Sequence, residues 1–194
     1  MGNYPGKTLS VVIPVYGSEE ILPELICQLE SVLDHSELEY EVILVCDQSP
    51  DRSWQVIQNL VRTRDRFHGI LLRMNVGQHN ALMAGLRASN GEIIITMDDD
   101  LQHSPKDISL LVKGISDGYD VSYARFQSRY HPFWKLLGSR VNDIVARFLM
   151  GKPAHIYLSP FRAFSASIRD EVLKYRGPYV YLDGLILSVT RNIV

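Results

Sequence analysis

Residues 9–15 (LSVVIPV) form a nearly unbroken apolar, β-branched run, the pattern of a strand buried on both faces. Beyond it Leu22, Leu25, Ile26, Leu29, Val32 and Leu33 recur at helical spacing, with Pro23 suited to a first turn. Residues 40–46 (YEVILVC) read as a second buried strand, and Trp54, Ile57, Leu60 and Val61 mark a second helix. GILLR (69–73) reads as a third strand and 77–88 as a helix of small residues able to lie close to a sheet, with Asn80 and Gly85 as packing positions. GEIIITMD (91–98) is a fourth strand. A helix from Pro105 follows, with Ile108, Leu111, Val112 and Ile115 on one face, and YDVSYA (119–124) gives a fifth strand. From Arg125 the pattern loosens: 133–150 reads as helix and PFRAFSAS (160–167) as a late strand and turn.

Alternating β and α of these lengths predicts an α/β fold, a three-layer α/β/α arrangement around a mostly parallel, doubly wound sheet, in a single domain. Ligands on such sheets bind beyond the carboxyl ends of the strands. The loops after Val15, Cys46, Arg73 and Met97 should therefore converge on one crevice.

Composition narrows the classes of function. Of 194 residues, 46% are apolar and 22% charged, which fits a globular domain rather than a disordered chain. Twenty Lys+Arg against 22 Asp+Glu leave a net charge of −2, which excludes nucleic-acid binding by bulk charge. Cys27 and Cys46, with no CxxC, support neither a disulfide scaffold nor a zinc knuckle. No apolar run approaches the ~18 residues of a membrane span, and MGNYPGK has no signal-peptide core, so the expected location is the cytoplasm. The apolar end LILSVTRNIV suggests a piece of a longer protein.

The sharpest chemical feature is IIITMDDDLQH (93–103), a buried strand that runs into Asp98, Asp99 and Asp100. Alternation along an extended segment turns Asp98 and Asp100 one way and Asp99 the other, with Gln102 continuing the Asp98 side. Like charges held close call for a cation, and hard oxygens favour Mg²⁺ or Mn²⁺, which one or two carboxylates share with substrate phosphates. The plainer alternative is a solvated acidic turn before the helix at Pro105. Asp47, straight off the second strand, could accept hydrogen bonds from a base or ribose; Asp51 reads as a helix cap. Tyr16, after Pro14, could lie against a base or be rim packing. Gly77 opens a helix whose free amides can meet an anion, though turn formation is the commoner role, and His79 reads as a first-turn side chain. P-loop, GxGxxG, GxSxG and HExxH patterns are all absent. Arg125, Arg129, Lys135 and Arg140, interleaved with Phe126, Tyr130, Phe133 and Trp134, suit phosphate binding or a membrane surface, or form a solvated loop.

Taken together, SVVIPVY, VCDQSPDRS, NVGQHNALMAG, MDDDLQHSPKDI and SPFRAF resemble, in order and spacing, glycosyltransferase family 2, and within it the dolichol- and undecaprenyl-phosphate sugar transferases. The resemblance spans about residues 9–169. It implies a GT-A fold and a nucleotide-sugar donor, with Pro14, Tyr16 and Asp47 holding the nucleotide and Asp47 meeting the base. Gly77 and Asp99 join the same donor-binding set. It implies that Asp98 contacts the nucleotide and that Asp98, Asp100 and Gln102 gather around Mg²⁺ or Mn²⁺ in a DXD motif, Asp100 most directly. Lys135 matches a phosphate-holding position; a second falls on Phe126, beside Arg125. Ser159 and Arg162 frame the acceptor side. The sequence departs from the pattern at Cys46–Asp47, where paired aspartates are usual, at Gly17–Ser18, where Asn-Glu is usual, and at Pro160, where glycine is usual. Glu19 would substitute for the lost carboxylate only through a shifted turn.

The reaction implied is inverting transfer from a UDP- or GDP-sugar to a polyprenyl phosphate in cell-envelope polysaccharide biosynthesis, at the inner face of the membrane in a longer protein. Two alternatives stand beside it. One is extension of a glycan, whose hydroxyl acceptor needs a base for which Asp183 is the candidate, its plainer reading being a helix cap. The other is a nucleotide-binding module without catalysis.

Overall fold

The computed structural model describes residues 7–36, 38–124 and 158–194. The expected helix at 133–150 and the basic and aromatic residues from Arg125 to Arg140 lie outside the described residues. Six strands form one sheet: β1 (Thr8–Val15), β2 (Glu39–Cys46), β3 (Phe67–Leu71), β4 (Ile93–Thr96), β5 (Val121–Tyr123) and β6 (Arg162–Ser165). Their order is β3-β2-β1-β4-β6-β5. β3, β2, β1 and β4 run parallel, and β6 lies antiparallel between β4 and β5.

Helices cover both faces, which is why β1 and β2 read as continuous apolar runs. Leu9, Val11, Ile13 and Val15 of β1 face one core, with Val42 and Leu44 of β2. That core is closed by α1 (Leu22–Leu33), α2 (Ser53–Thr63) and α4 (Ile108–Ser116). Val12, Ile43, Val45 and Ile94 face the other core, under α3 (Gln78–Ala88), α5 (Ala166–Val172) and α6 (Leu182–Val189). The three-layer expectation is met.

Two sequence expectations shift. The third strand is Phe67–Leu71 rather than 69–73, with Phe67 opposite Val42 and Leu71 opposite Cys46. Phe67 is buried in the core, whereas Leu71 stands exposed on this edge strand, so anchoring by Phe67 outweighs the apolar run that follows. The late strand expected within 160–167 is present as β6, but the turn expected after it is a helix start: Ser165 ends β6 and α5 begins at Ala166.

The small-residue face of α3 lets it approach the sheet closely. A Cβ on Gly85 would lie 2.3 Å from Val12 Cγ1 and 3.1 Å from Val45 Cγ2, both in the packed core. Gly85→Ala should therefore lower stability by about 1–3 kcal/mol, because neither valine has free space to turn into. Equilibrium urea unfolding reads this, and an unchanged midpoint would contradict the packing.

Candidate active site

Because β3, β2, β1 and β4 are parallel, their carboxyl ends share one edge, and the loops that leave them line a cleft of about 410 Å³. Pro14, Val15 and Tyr16 come from β1 and its loop, Asp47 from the end of β2, Asn75 and Gly77 from the β3–α3 loop, Gln78 from the first turn of α3, and Asp98, Asp99 and Asp100 from the segment after β4. The predicted convergence of four loops is met. Tyr16 stands at the rim, 54% exposed.

The backbone amides of these loops have left the ladders, and carboxylates and hydroxyls of neighbouring loops accept from them. Val76 N–H and Gly77 N–H donate to the two oxygens of Asp47, each at 2.8 Å. Gly77, at φ +83°, turns the chain into α3 in a conformation that side chains other than glycine resist. Asp47 is buried, so its carboxylate fixes the β3–α3 loop as well as bordering the cleft.

Asp51 gathers the β1–α1 and β2–α2 loops. Its Oδ1 accepts from Ser53 N–H and from the Ser49 and Ser53 hydroxyls, and its Oδ2 accepts from Glu19 N–H at 3.0 Å. Burial opposes its charge, but these hydrogen bonds outweigh burial and hold the carboxyl well below the usual carboxylate range. The residue expected only to cap α2 thus ties two loops together. Glu19 is turned to the same junction, accepting from Arg52 N–H at 2.6 Å.

The three aspartates after β4 diverge. Asp98 accepts from Gln78 Nε2 on α3. Asp99 Oδ2 accepts from Tyr16 N–H at 3.1 Å and from the Ser18 hydroxyl at 2.5 Å. Asp100 is exposed, and its Oδ1 accepts from Gln102 N–H at 3.0 Å, a turn helped by Leu101 at φ +59°. Burial, then Asp100 and Asp99, push the Asp98 carboxyl up to about 6 against the pull of Arg162. Burial raises Asp99 as well. Among the described residues no three His, Cys, Asp or Glu side chains are grouped to enclose an ion by themselves.

Arg162 and Asp183 occupy the interior behind this edge. Arg162, 1% exposed, donates from Nη1 to Asp183 Oδ1 and from Nε to Thr96 Oγ1 at 3.1 Å. Thr96 in turn donates to Pro160 O, and Tyr123 OH donates to Asp183 Oδ1 at 2.9 Å. Burial opposes the Arg162 charge, but Asp183 and Tyr123 keep it firmly cationic. Asp183 sits in the first turn of α6, whose cap is Tyr181, so it is neither the cap nor an open carboxylate. Ser159 is buried and accepts from Phe161 N–H. His79, in the first turn of α3, has a buried Nδ1 without a partner among the described residues and packs edge-on against Tyr181. Sequence reading missed Ser18, Ser49, Gln78, Thr96 and Tyr123, each of which has a partner 20 to 81 residues away.

Two expected outcomes follow from these groups. Asp98 has a folded-state pKa above its ordinary 3.8, so the stability it contributes is present below about pH 4 and lost as pH rises through about 6. In metal-free buffer Asp98→Asn should therefore be more stable than wild type at pH 7, by about 1 kcal/mol, with the gap closing toward pH 4. Urea midpoints at the two pH values test this, and an equal gap at both would contradict it. Arg162→Met should cost about 3–5 kcal/mol by leaving Asp183 unpaired in the interior, and adding Asp183→Leu should recover much of it. A double variant as unstable as the sum of the singles would rule out this coupling.

The sequence profile of Glycosyl transferase family 2 matches residues 10–173. The chain is 33% identical over 193 residues to undecaprenyl-phosphate 4-deoxy-4-formamido-L-arabinose transferase of Pseudomonas syringae pv. syringae, covering 99% of this chain and 57% of that protein. It is 37% identical to the protein of the same name in Photorhabdus laumondii, covering 97% and 58%. The chain thus spans little more than half the length of these relatives. Among solved structures, S. aureus TarS 1-349 in complex with UDP superposes with a TM-score of 0.65 at 19% identity, covering 92% of this chain and 53% of that one. Glucosyl-3-phosphoglycerate synthase from Mycobacterium tuberculosis, in complex with Mn²⁺, UDP-glucose and phosphoglyceric acid, superposes with a TM-score of 0.63 at 19% identity, covering 84% and 58%. With a profile match over most of its length and this six-stranded sheet, the chain belongs to glycosyl transferase family 2 and has the GT-A fold.

Proposed function

We propose that the cleft holds the diphosphate and nucleoside of a UDP- or GDP-sugar, and that the sugar passes with inversion to a polyprenyl phosphate. The observation that carries this reading is the meeting, at one edge of the sheet, of an exposed tyrosine, a helix start and three adjacent carboxylates. The relatives named as undecaprenyl-phosphate sugar transferases support the acceptor class.

The donor set fits Mg²⁺ or Mn²⁺. Asp98 and Asp100 offer hard oxygens, and among the described residues no third carboxylate, His or Cys joins them to enclose an ion, which suits an ion shared with substrate phosphates. Asp100, exposed beside the cleft, is the more direct ligand, with Gln102 next to it and Asp98 behind. Structures in complex with Mn²⁺ and a nucleotide-sugar, such as a Pyrobaculum calidifontis mannosyltransferase with GDP-mannose (TM-score 0.63, 20% identity, covering 84% of this chain and 45% of that one), support the ion class. When bound, the ion supplies Lewis-acid stabilisation of the charge that develops on the leaving diphosphate.

The residues of the chain do the rest. Tyr16 offers a ring face to the base, and Asp47 borders the nucleoside while holding Val76 and Gly77 in place. The N-terminus of α3 opens on the same cleft, its partial positive charge favouring phosphate. Lys135, by its place in the family pattern, supplies a cation for the acceptor and donor phosphates, and Arg125, one residue from the second such position at Phe126, supplies another. Arg162, enclosed with Asp183, supports that wall from within rather than touching the donor. A phosphate acceptor is already anionic and needs no general base, which accords with Asp183 being engaged by Arg162 and Tyr123. A lipid acceptor sets the reaction at a membrane surface, on the cytoplasmic side where nucleotide-sugars are found.

Calorimetric titration of UDP and GDP, each with and without Mn²⁺, tests the donor site. The expected result is Mn²⁺-dependent binding of one nucleotide, weakened at least about tenfold in Asp100→Ala. Failure of both nucleotides to bind with Mn²⁺ present would overturn the reading.

A further inference from the structure

We infer that Asp99 is a positioning residue: it latches the β1–α1 loop to the end of β4 and thereby sets where Tyr16 stands in the cleft. The inference rests on reading the cleft as the donor site. Its geometry stands independently of that reading.

Asp99 Oδ2 receives two hydrogen bonds, from Tyr16 N–H at 3.1 Å and from the Ser18 hydroxyl at 2.5 Å, across more than 80 residues of sequence. The loop is otherwise held from its far side: Gly17 N–H donates to Ser49 Oγ, Ser18 N–H to Ser53 Oγ and Glu19 N–H to Asp51. Those bonds start at residue 17, one step after the tyrosine. The carbonyl of the Val15–Tyr16 peptide accepts from Asp47 N–H at 3.0 Å, where the β1–β2 pairing ends, and Asp99 is the acceptor that holds its Tyr16 N–H.

The Ser18 hydroxyl has one hydrogen and two acceptors within reach, Asp99 Oδ2 at 2.5 Å and Tyr16 O at 3.2 Å. The shorter bond to a charged oxygen is the stronger. Ser18 therefore ties the loop outward to β4 instead of inward to itself. Gly17 permits this bend at φ +72°, and among the described residues no neighbour lies within 4 Å of the position its Cβ would take, so its conformation matters rather than its size. Ser18 stands where the family pattern carries a glutamate, so here a hydroxyl at 18 meets a carboxylate brought by β4.

Asp99 lines the cleft beside Asp98 and Asp100, so a role in direct charge recognition is the rival account. The two accounts separate on Asp99→Asn. The amide oxygen of asparagine still accepts from Tyr16 N–H and Ser18 Oγ, but the charge is gone. Alanine removes both.

The test compares intact wild type with Asp99→Asn, Asp99→Ala and Ser18→Ala, by residue-resolved amide hydrogen exchange and by Mn²⁺-dependent titration of UDP and GDP. A latch predicts that Asp99→Ala speeds exchange at Tyr16 about tenfold or more while Val12 in the core of β1 is unchanged, with Ser18→Ala intermediate and Asp99→Asn close to wild type. It also predicts that Asp99→Ala weakens nucleotide binding about tenfold, that Asp99→Asn does so about threefold or less, and that Asp99→Ala has no added effect in a Tyr16→Ala background. Unchanged Tyr16 exchange in Asp99→Ala would overturn the latch. Nucleotide affinity lost equally in Asp99→Asn and Asp99→Ala would overturn it in favour of direct charge recognition. The expected exchange pattern in a protein that binds neither nucleotide would uphold the latch and overturn the donor-site reading alone.

Discussion

Loop amides without ladder partners are the constraint on which this edge of the molecule depends. Where four parallel strands stop, the N–H groups of the loops and helix starts that follow must find acceptors or stay in water. Here side chains of adjacent loops supply them: Asp47 for Val76 and Gly77, Asp51 for Glu19 and Ser53, Asp99 for Tyr16, and Ser49 and Ser53 for Gly17 and Ser18. Each loop is thus fixed by the one beside it. The cleft inherits its shape from these cross-links and from the sheet beneath, and side chains that hold loops in place also form its lining.

The same arrangement concentrates negative charge. Three aspartates follow β4 in succession, and Asp98 is half-buried among them with its acidity weakened by burial and by its neighbours. A fold carries such a cost where a ligand offsets it. Cationic support within the described residues comes from below, from Arg162, which is enclosed by Thr96, Asp183 and the Tyr123 ring. That buried set joins β4, β5, β6 and α6, so the antiparallel half of the sheet acts as the foundation for the acidic turn on the parallel half.

Much of this was legible in the sequence, for a physical reason. Runs such as VVIPV and EVILV must be buried on both faces, so the alternation of strands and helices, the parallel sheet and the convergence of its loops followed from local pattern. The motif residues Tyr16, Asp47, Gly77 and Asp98 to Asp100 do meet at one cleft. What local pattern did not carry was pairing at a distance. The Arg162–Asp183 pair and the Tyr123 hydroxyl come from three separate elements, and nothing in RAFS or YLDGL announces that they meet. Asp51 read as a cap because its link to Glu19 crosses between loops. β3 shifted by two residues because the lone Phe67 anchors the edge strand more strongly than the more apolar residues after it.

On the proposed reading the acidic segment after β4 shares a divalent ion with a nucleoside diphosphate in this cleft. Anomalous diffraction from crystals grown with Mn²⁺ and the nucleoside diphosphate tests it most directly. The expected result is one strong Mn²⁺ peak coordinated by Asp100, next to Asp98, with diphosphate oxygens completing the shell and the base against Tyr16. A nucleotide bound elsewhere, or bound in the cleft with no ion at Asp98 or Asp100, would contradict it.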